Sequence, residues 1–158
     1  MPTNPTFVRA TVALLIACIH LFASPRSELW READTATGPK LQPVNGPVHV
    51  GDELVIRLEL RVDRDMEYVH LKDQRGSGVE PVNVLSQYKY EDGLGCYEST
   101  RDTASHFFID HLRAGSYVFE YSTRIQLRGE YQTGLAEIQC MYAPEFNSHS
   151  ASLLLDAR

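Results

Sequence analysis

Cysteine is scarce in this sequence, and the spacing of its cysteines excludes several kinds of site. Only Cys18, Cys96 and Cys140 occur among 158 residues, and they have neither zinc-ligand spacing nor the C-x-x-C spacing of a redox pair. Basic residues are also outnumbered, with 15 Lys and Arg against 21 Asp and Glu, and they are scattered rather than clustered. Because nucleic-acid binding needs a basic face, we expect no nucleic-acid partner.

The sequence also lacks an apolar run long enough to span a bilayer. Its longest run, residues 10–23, is broken only by Thr11, Cys18 and His20, and it follows nine residues that carry one positive charge and no acid. This pattern predicts that residues 1–25 are a signal peptide or a lipoprotein leader. The alternative is that translation starts further along and that these residues have no export role.

Cys18 ends the sequence LIAC at residues 15–18, which resembles a bacterial lipobox. In a lipobox the cysteine is acylated, so Cys18 is predicted to be a lipidation site. We therefore expect an exported protein of the periplasm or cell envelope, in contact with the membrane only through a leader or a lipid anchor.

The remainder, residues 26–158, has the composition and size of one folded domain. The whole chain is 43% hydrophobic and 23% charged, which is ordinary for a globular protein. Residues 53–62 alternate apolar and charged side chains. Every second residue from Tyr117 to Leu127 falls on one face of an extended chain, so this row, with Leu127 at its end, is expected to face the core. With about eight such segments and no helical periodicity, the sequence predicts an all-β, antiparallel two-sheet sandwich of the Ig or fibronectin kind.

One turn in this predicted sandwich has a recognisable form. Residues 112–117 read L-x-x-G-x-Y, the arrangement found where Ig-like sandwiches cross from one sheet to the other. At such corners a tyrosine hydroxyl bonds back to the backbone a few residues upstream. We therefore expect Tyr117 to fix this corner, with a core tyrosine after a glycine turn as the alternative.

No group of residues predicts catalysis, a metal or a cofactor. His106 and Asp110 share one face of a strand while His111 points to the other, so the three cannot meet without a bulge. The remaining candidates are predicted to be surface groups: His70, His149, Glu67, Asp73, Glu91 and Asp92. Cys96 and Cys140 lie on separate predicted strands and could pair only if their Cα atoms came within about 7 Å.

Four segments together resemble one known module. They are RVDRDMEYVHLKD at 61–73, GVEPVNVLS at 78–86, GCYEST at 95–100 and IQCMYAPEF at 138–146. In this order they resemble the C-terminal macroglobulin-like domain of bacterial alpha-2-macroglobulins. The resemblance runs from about residue 27 to the C-terminus.

The resemblance implies a non-catalytic module of an endopeptidase inhibitor that docks on and shields a thioester domain. Its partners would be that domain or other macroglobulin domains, and target proteinases only indirectly. It places the contact at Met141, Tyr142 and Glu145. The sequence departs from complete inhibitors, since it has no Cys-x-Glu-Gln thioester motif and no bait region, so we expect a module isolated from both.

A stand-alone envelope adhesion or carbohydrate-binding sandwich is the alternative function. It depends on tyrosines that fall on or beside predicted loops, where each offers a large contact area with a polar tip. These are Tyr88, Tyr90, Tyr97 and Tyr142.

Overall fold

A computed structural model describes residues 23–91 and 93–158, without the side chains of Asp34 and Glu91. Every regular element in this part of the chain is a β-strand, and none of it is a helix that could cross a membrane. The strands are β1 Ala23–Thr35, β2 Gly38–Pro43, β3 Glu53–Val62, β4 Met66–Gln74, β5 Val79–Pro81, β6 Gln87–Glu91, β7 Leu94–Thr100, β8 Ala104–Leu112, β9 Gly115–Ile125, β10 Gly129–Gln132, β11 Ala136–Cys140, β12 Ala143–His149 and β13 Leu154–Ala157.

These strands form two main antiparallel sheets. The five-stranded sheet has the order β2-β1-β3-β9-β5, and the six-stranded sheet has the order β12-β11-β4-β8-β7-β6. Strands β10 and β13 form a separate pair. The predicted all-β sandwich is confirmed, although the described residues hold thirteen strands rather than about eight.

The central strand β3 shows why the sequence folds in this way. Its residues alternate between exposed or half-buried and fully buried, so one apolar row faces the second sheet and the charged row faces outward. The buried row is Leu54, Ile56, Leu58, Leu60 and Val62. On the outer face, a guanidinium nitrogen of Arg57 lies 2.6 Å from a carboxylate oxygen of Glu120 on β9.

The core between the two sheets is continuous and mostly aliphatic. Its largest fully buried side chain is Phe107 of β8, which packs against Phe119 of β9 with ring centroids 5.2 Å apart. A second, smaller cluster under β13 includes Val48, Ile125 and Leu155. The sandwich therefore has a main core and a satellite core at one end.

The inward row of β9 ends earlier than the sequence predicts. Thr123 and Ile125 are fully buried, but Leu127 lies beyond the last strand residue and is 59% exposed. The predicted inward position of Leu127 is wrong because the pairing of β9 stops at Ile125 and the chain then turns.

The first strand begins inside the segment predicted to be a leader. Ala23 is 1% exposed and pairs with Val62, and Pro25 pairs with Leu60. Residues 23–25 thus belong to the sandwich, so its first strand starts three residues before the predicted boundary at residue 26. The predicted leader and the lipidation site at Cys18 otherwise lie outside the described residues and stay predictions.

Cys96 and Cys140 are too far apart to form a disulfide. Both lie in the six-stranded sheet, Cys96 on β7 and Cys140 on β11, with β4 and β8 between them. Three strand spacings amount to about 14 Å, twice the longest Cα separation a disulfide bridges. The two cysteines therefore do not pair with each other.

Candidate docking surface

The predicted contact residues Met141 and Tyr142 form the two-residue turn between β11 and β12. Tyr142 is 79% exposed and Met141 is 52% exposed. They project from one end of the sandwich rather than packing under it. The turn therefore presents two large side chains to the solvent.

Tyr68 of β4 supports this turn from the neighbouring strand. The Met141 backbone N–H donates a 2.9 Å hydrogen bond to the Tyr68 carbonyl, and the Tyr142 ring meets the Tyr68 ring edge-on at 5.2 Å and 85°. Tyr68 itself has a φ of 54°, the left-handed region that a bulky residue rarely adopts. In this conformation both the carbonyl and the ring of Tyr68 contact the Met141–Tyr142 turn.

Glu145, the third predicted contact residue, lies on β12 at the edge of the six-stranded sheet. The register of β11 against β12 shifts between Gln139 and Cys140, so residues 144–146 bulge away from regular pairing. The Asn147 side-chain amide donates a 2.8 Å hydrogen bond to the Pro144 carbonyl across this bulge. Glu145 is exposed while Phe146 packs on the core, which places a carboxylate beside the apolar turn.

A groove of about 910 Å³ adjoins the turn at the same end of the sandwich. Its floor is apolar and its rim is charged, with the His111 ring 3.4 Å from the Glu67 carboxylate on one side. The lining residues are Asp65, Met66, Glu67, Tyr68, His111, Leu112, Arg113, Cys140 and Tyr142. Sequence reasoning missed Tyr68 and this groove, since only the pairing of β4 with β11 brings them beside Tyr142.

The predicted tyrosine corner is confirmed, and it lies at this end too. The Tyr117 hydroxyl donates a 3.0 Å hydrogen bond to the Arg113 carbonyl, four residues upstream. The next residue, Ala114, donates its N–H to the Asp65 carboxylate at 2.7 Å. Both bonds fix the β8–β9 turn, which supplies Arg113 to the groove.

The histidine group considered in the sequence is divided by the fold. Asp110 is exposed and His111 faces Glu67, whereas the His106 Nδ1 lies 2.9 Å from the His70 Nε2 on the outer face of the six-stranded sheet. The two imidazole planes are within 5° of each other, so this short contact joins them edge to edge. His70 thus has a partner that its sequence neighbours did not indicate.

The environment of this pair favours neutral imidazoles. Burial lowers the pKa of His70, and the neighbouring His106 and Lys72 lower it further while Glu137 opposes them. Burial also lowers the pKa of His106, with Lys72 and Arg101 adding to the effect. Among the side chains that the structure describes, no group of three or more His, Cys, Asp or Glu is placed for a metal ion.

Asp73 was expected at the strand surface, and this prediction is wrong. Its side chain lies between the sheets, where it accepts a hydrogen bond from the Tyr121 hydroxyl. Burial raises the pKa of Asp73 to about 6, although the Tyr121 hydrogen bond and the charge of Arg75 work against the rise. The Arg75 guanidinium donates hydrogen bonds to the carbonyls of Arg101 and Asp102, each 2.8 Å away. Asp73, Tyr121 and Arg75 therefore form a structural polar cluster.

Comparison with protein families gives one match over most of the chain. Residues 28–145 match the model of the bacterial alpha-2-macroglobulin MG10 domain. A Nostoc alpha-2-macroglobulin homolog is 29% identical over an alignment of 116 residues, and the match covers 67% of this chain and 6% of that protein. The circularly permutated Ras protein 2 of Dictyostelium discoideum is 27% identical over 136 residues, 85% of this chain and 3% of that protein.

Solved structures show the same fold at low sequence identity. A mutant of Salmonella alpha-2-macroglobulin superposes with a TM-score of 0.68 at 17% identity, over 86% of this chain and 9% of that one. Native Escherichia coli alpha-2-macroglobulin, from domain MG7 to the C-terminus, gives 0.67 at 15% identity, over 87% of this chain and 23% of that one. The chain therefore spans between 3% and 23% of the length of these four proteins.

Proposed function

We propose that this chain, which belongs to the bacterial alpha-2-macroglobulin MG10 domain family, docks on a thioester domain and shields it within an inhibitor of endopeptidases. The proposed contact is made by the turn of Met141 and Tyr142, with Glu145 at its margin. The single observation that supports it most is the exposure of these two large side chains on a turn that the fold holds rigidly.

The chemistry of the turn suits a protein partner. A tyrosine and a methionine that project together supply apolar area and one hydroxyl, the composition of interface residues whose truncation costs most binding energy. Because Tyr68 and the Met141 hydrogen bond already fix the turn, little conformational entropy is lost on docking. The exposed Glu145 then supplies a polar rim at one side.

The proposed role is that of a module rather than of a complete inhibitor. Macroglobulin domains are non-catalytic parts of much longer proteins, and this chain corresponds to 6% of the length of the Nostoc relative. A thioester domain or further macroglobulin domains would be its partners, and target proteinases would be affected only through them. Alpha-2-macroglobulins of bacteria act outside the cytoplasm, so we place the chain in the periplasm or envelope.

The test is a double substitution, Met141→Ala with Tyr142→Ala, measured against a separately expressed thioester domain of a bacterial alpha-2-macroglobulin from the same organism. We expect the Kd to rise at least about tenfold, since a truncated contact residue of this kind costs more than about 1.4 kcal/mol. The melting temperature should stay within about 2 °C because neither side chain belongs to the core.

Tyr88→Ala is the matched control, since Tyr88 is 83% exposed but lies on the opposite edge strand of the same sheet. It should leave the Kd unchanged. An unaltered Kd for the double variant would refute the proposed contact. A steep fall in its melting temperature would instead show that the turn is part of the core.

A further inference from the structure

His70 and His106 lie on neighbouring strands with two ring nitrogens facing each other. The His70 Nε2 is 2.9 Å from the His106 Nδ1, on the outer face of the six-stranded sheet where β4 pairs with β8. Both imidazoles are half-buried, while the residues directly before and after each of them are fully buried. The pair is therefore open to solvent on one side and attached to two paired strands on the other.

The surroundings of the pair fix the planes of its two rings. These planes lie within 5° of each other, and Phe108 stacks on His70 with ring centroids 4.7 Å apart. Phe108 is also the residue directly opposite His70 in the register of β4 against β8. Because the two nitrogens are already side by side, a ligand that needs both of them orders few further rotamers on binding.

The pair is also in the protonation state that a metal ion requires. A metal binds only neutral imidazole. Burial lowers the pKa of both rings, and the charge of Lys72 lowers both further. In the metal-free pair one of the two facing nitrogens carries a proton. When that proton moves to the far nitrogen of the same ring, both facing nitrogens offer a lone pair.

We propose that His70 Nε2 and His106 Nδ1 together bind one divalent copper ion on the outer face of the sheet. Two nitrogens that each lie about 2.0–2.1 Å from one ion are about 2.9 Å apart at a right angle and about 3.3 Å apart at the tetrahedral angle. The observed 2.9 Å matches the right angle. Adjacent positions of a square-planar or tetragonal ion have this angle, and copper(II) prefers that geometry with nitrogen ligands.

The neighbouring charges set the expected affinity. Among the described side chains, no third His, Cys, Asp or Glu completes the pair, so water fills the other positions of the ion. Lys72 is directly opposite His106 in the register and repels a cation, whereas Glu137 is directly opposite Lys72 and attracts one. Two imidazoles in these surroundings should bind Cu²⁺ with a Kd on the order of 10 µM.

Equilibrium dialysis of the full chain against Cu²⁺ tests the site. The reference chain carries Cys18→Ser and Cys140→Ser, which removes two thiols that copper would oxidise. His70→Gln and His106→Gln should each raise the Kd of the reference at least about tenfold. His149→Gln, at an exposed histidine on the edge strand β12, is the matched control and should leave the Kd unchanged.

Two charge substitutions test where the ion lies. Lys72→Gln should lower the Kd several-fold because a repelling charge is removed, and Glu137→Gln should raise it. Electron paramagnetic resonance of the bound Cu²⁺ should show coupling to two imidazole nitrogens in the reference and to at most one in His106→Gln.

Two results would overturn the proposal. One is equal binding by the reference, His70→Gln and His106→Gln, which would place the ion elsewhere. The other is no binding by the reference up to about 1 mM Cu²⁺, a hundred times the expected Kd. Neither result bears on the docking of a thioester domain, because no partner protein is present in these measurements.

Discussion

The Tyr117 hydroxyl on β9 donates a 3.0 Å hydrogen bond to the Arg113 carbonyl in the turn after β8. This bond links the end of β8 in one sheet to the start of β9 in the other. The ring of Tyr117 packs against the main core while its hydroxyl reaches the turn between β8 and β9. The same turn carries Arg113 into the groove beside Tyr142. A corner that stabilises the sandwich therefore also positions a residue of the proposed docking surface.

Replacing Tyr117 by phenylalanine should lower the free energy of unfolding by about 1 kcal/mol. The ring stays in place, and only the hydrogen bond to the turn is lost. Urea unfolding followed by fluorescence measures the change, and Tyr88→Phe, at an exposed tyrosine, is the control that should change nothing. Equal stability of Tyr117→Phe and the wild type would show that the corner hydrogen bond does not contribute.

Asp73 should make the stability of the domain fall as pH rises. Because burial raises its folded pKa to about 6, above the ordinary 3.8, the folded state binds the proton more tightly than the unfolded chain does. The contribution of protonated Asp73 to the free energy of unfolding is therefore complete below about pH 4 and is lost as pH rises through about 6. The loss amounts to roughly 3 kcal/mol for a shift of this size.

Asp73→Asn removes this titration while keeping an oxygen that can accept from Tyr121. From pH 4 to pH 7 the unfolding free energy of the wild type should fall relative to that of the variant. Denaturant unfolding at a series of pH values measures it. Parallel curves for the two proteins would mean that Asp73 does not titrate in this range.

The imidazole pair should have the opposite pH dependence. The pKa values of His70 and His106 both lie below the ordinary 6.5 in the folded protein, so the folded state binds fewer protons there than the unfolded chain. Their contribution is present above about pH 6.5 and is lost as pH falls. Lys72 and Arg101 act in the same direction, and Glu137 acts against it.

His106→Gln tests the coupling within this pair. Removing the second imidazole should raise the pKa of His70, because one of the groups that lower it is gone. Imidazole proton shifts in an NMR titration report this pKa directly. An unchanged His70 titration would show that the 2.9 Å contact does not persist in solution.

A side chain at Gly78 should lower the free energy of unfolding, whereas one at Gly95 should leave it nearly unchanged. A Cβ atom at Gly78 would lie 2.5 Å from the Tyr131 ring, whereas at Gly95 it would lie an ordinary 3.7 Å from the Tyr90 ring. We expect Gly78→Ala to cost about 1–3 kcal/mol of unfolding free energy. Gly95→Ala should stay within about 0.5 kcal/mol.

Thermal unfolding of both alanine variants measures this difference. Equal melting temperatures would mean that Tyr131 moves aside without cost. The comparison also tests the contact between Tyr131 and the 76–78 turn, which joins the β10–β13 pair to the sandwich.

Long alternating segments could be predicted from the sequence because a strand with one buried face repeats every second residue. Residues 53–62 match β3 at both ends, and the corner at Tyr117 has a local pattern that identifies it. The predicted contact residues Met141 and Tyr142 lie in an exposed turn, although their role in docking stays a prediction.

Features set by long-range pairing could not be predicted in the same way. The sequence predicts loops at residues 88–95 and 143–146, where the structure has the edge strands β6 and β12, because edge strands with one neighbour carry no strong alternation. The contact of His70 with His106 depends on the register of β4 against β8. The burial of Asp73 depends on Tyr121 of the opposite sheet, which no local pattern reveals.

The position of Ala23 has a consequence for any anchored form of the protein. If Cys18 is acylated, the five residue steps from Cys18 to Ala23 span at most about 18 Å between the lipid-bearing residue and the first strand. Ala23 pairs with Val62, and the chain after Val62 leads into the groove at Asp65 and Met66. An acylated chain would therefore hold the Met141–Tyr142 turn at the end of the sandwich nearest its anchor.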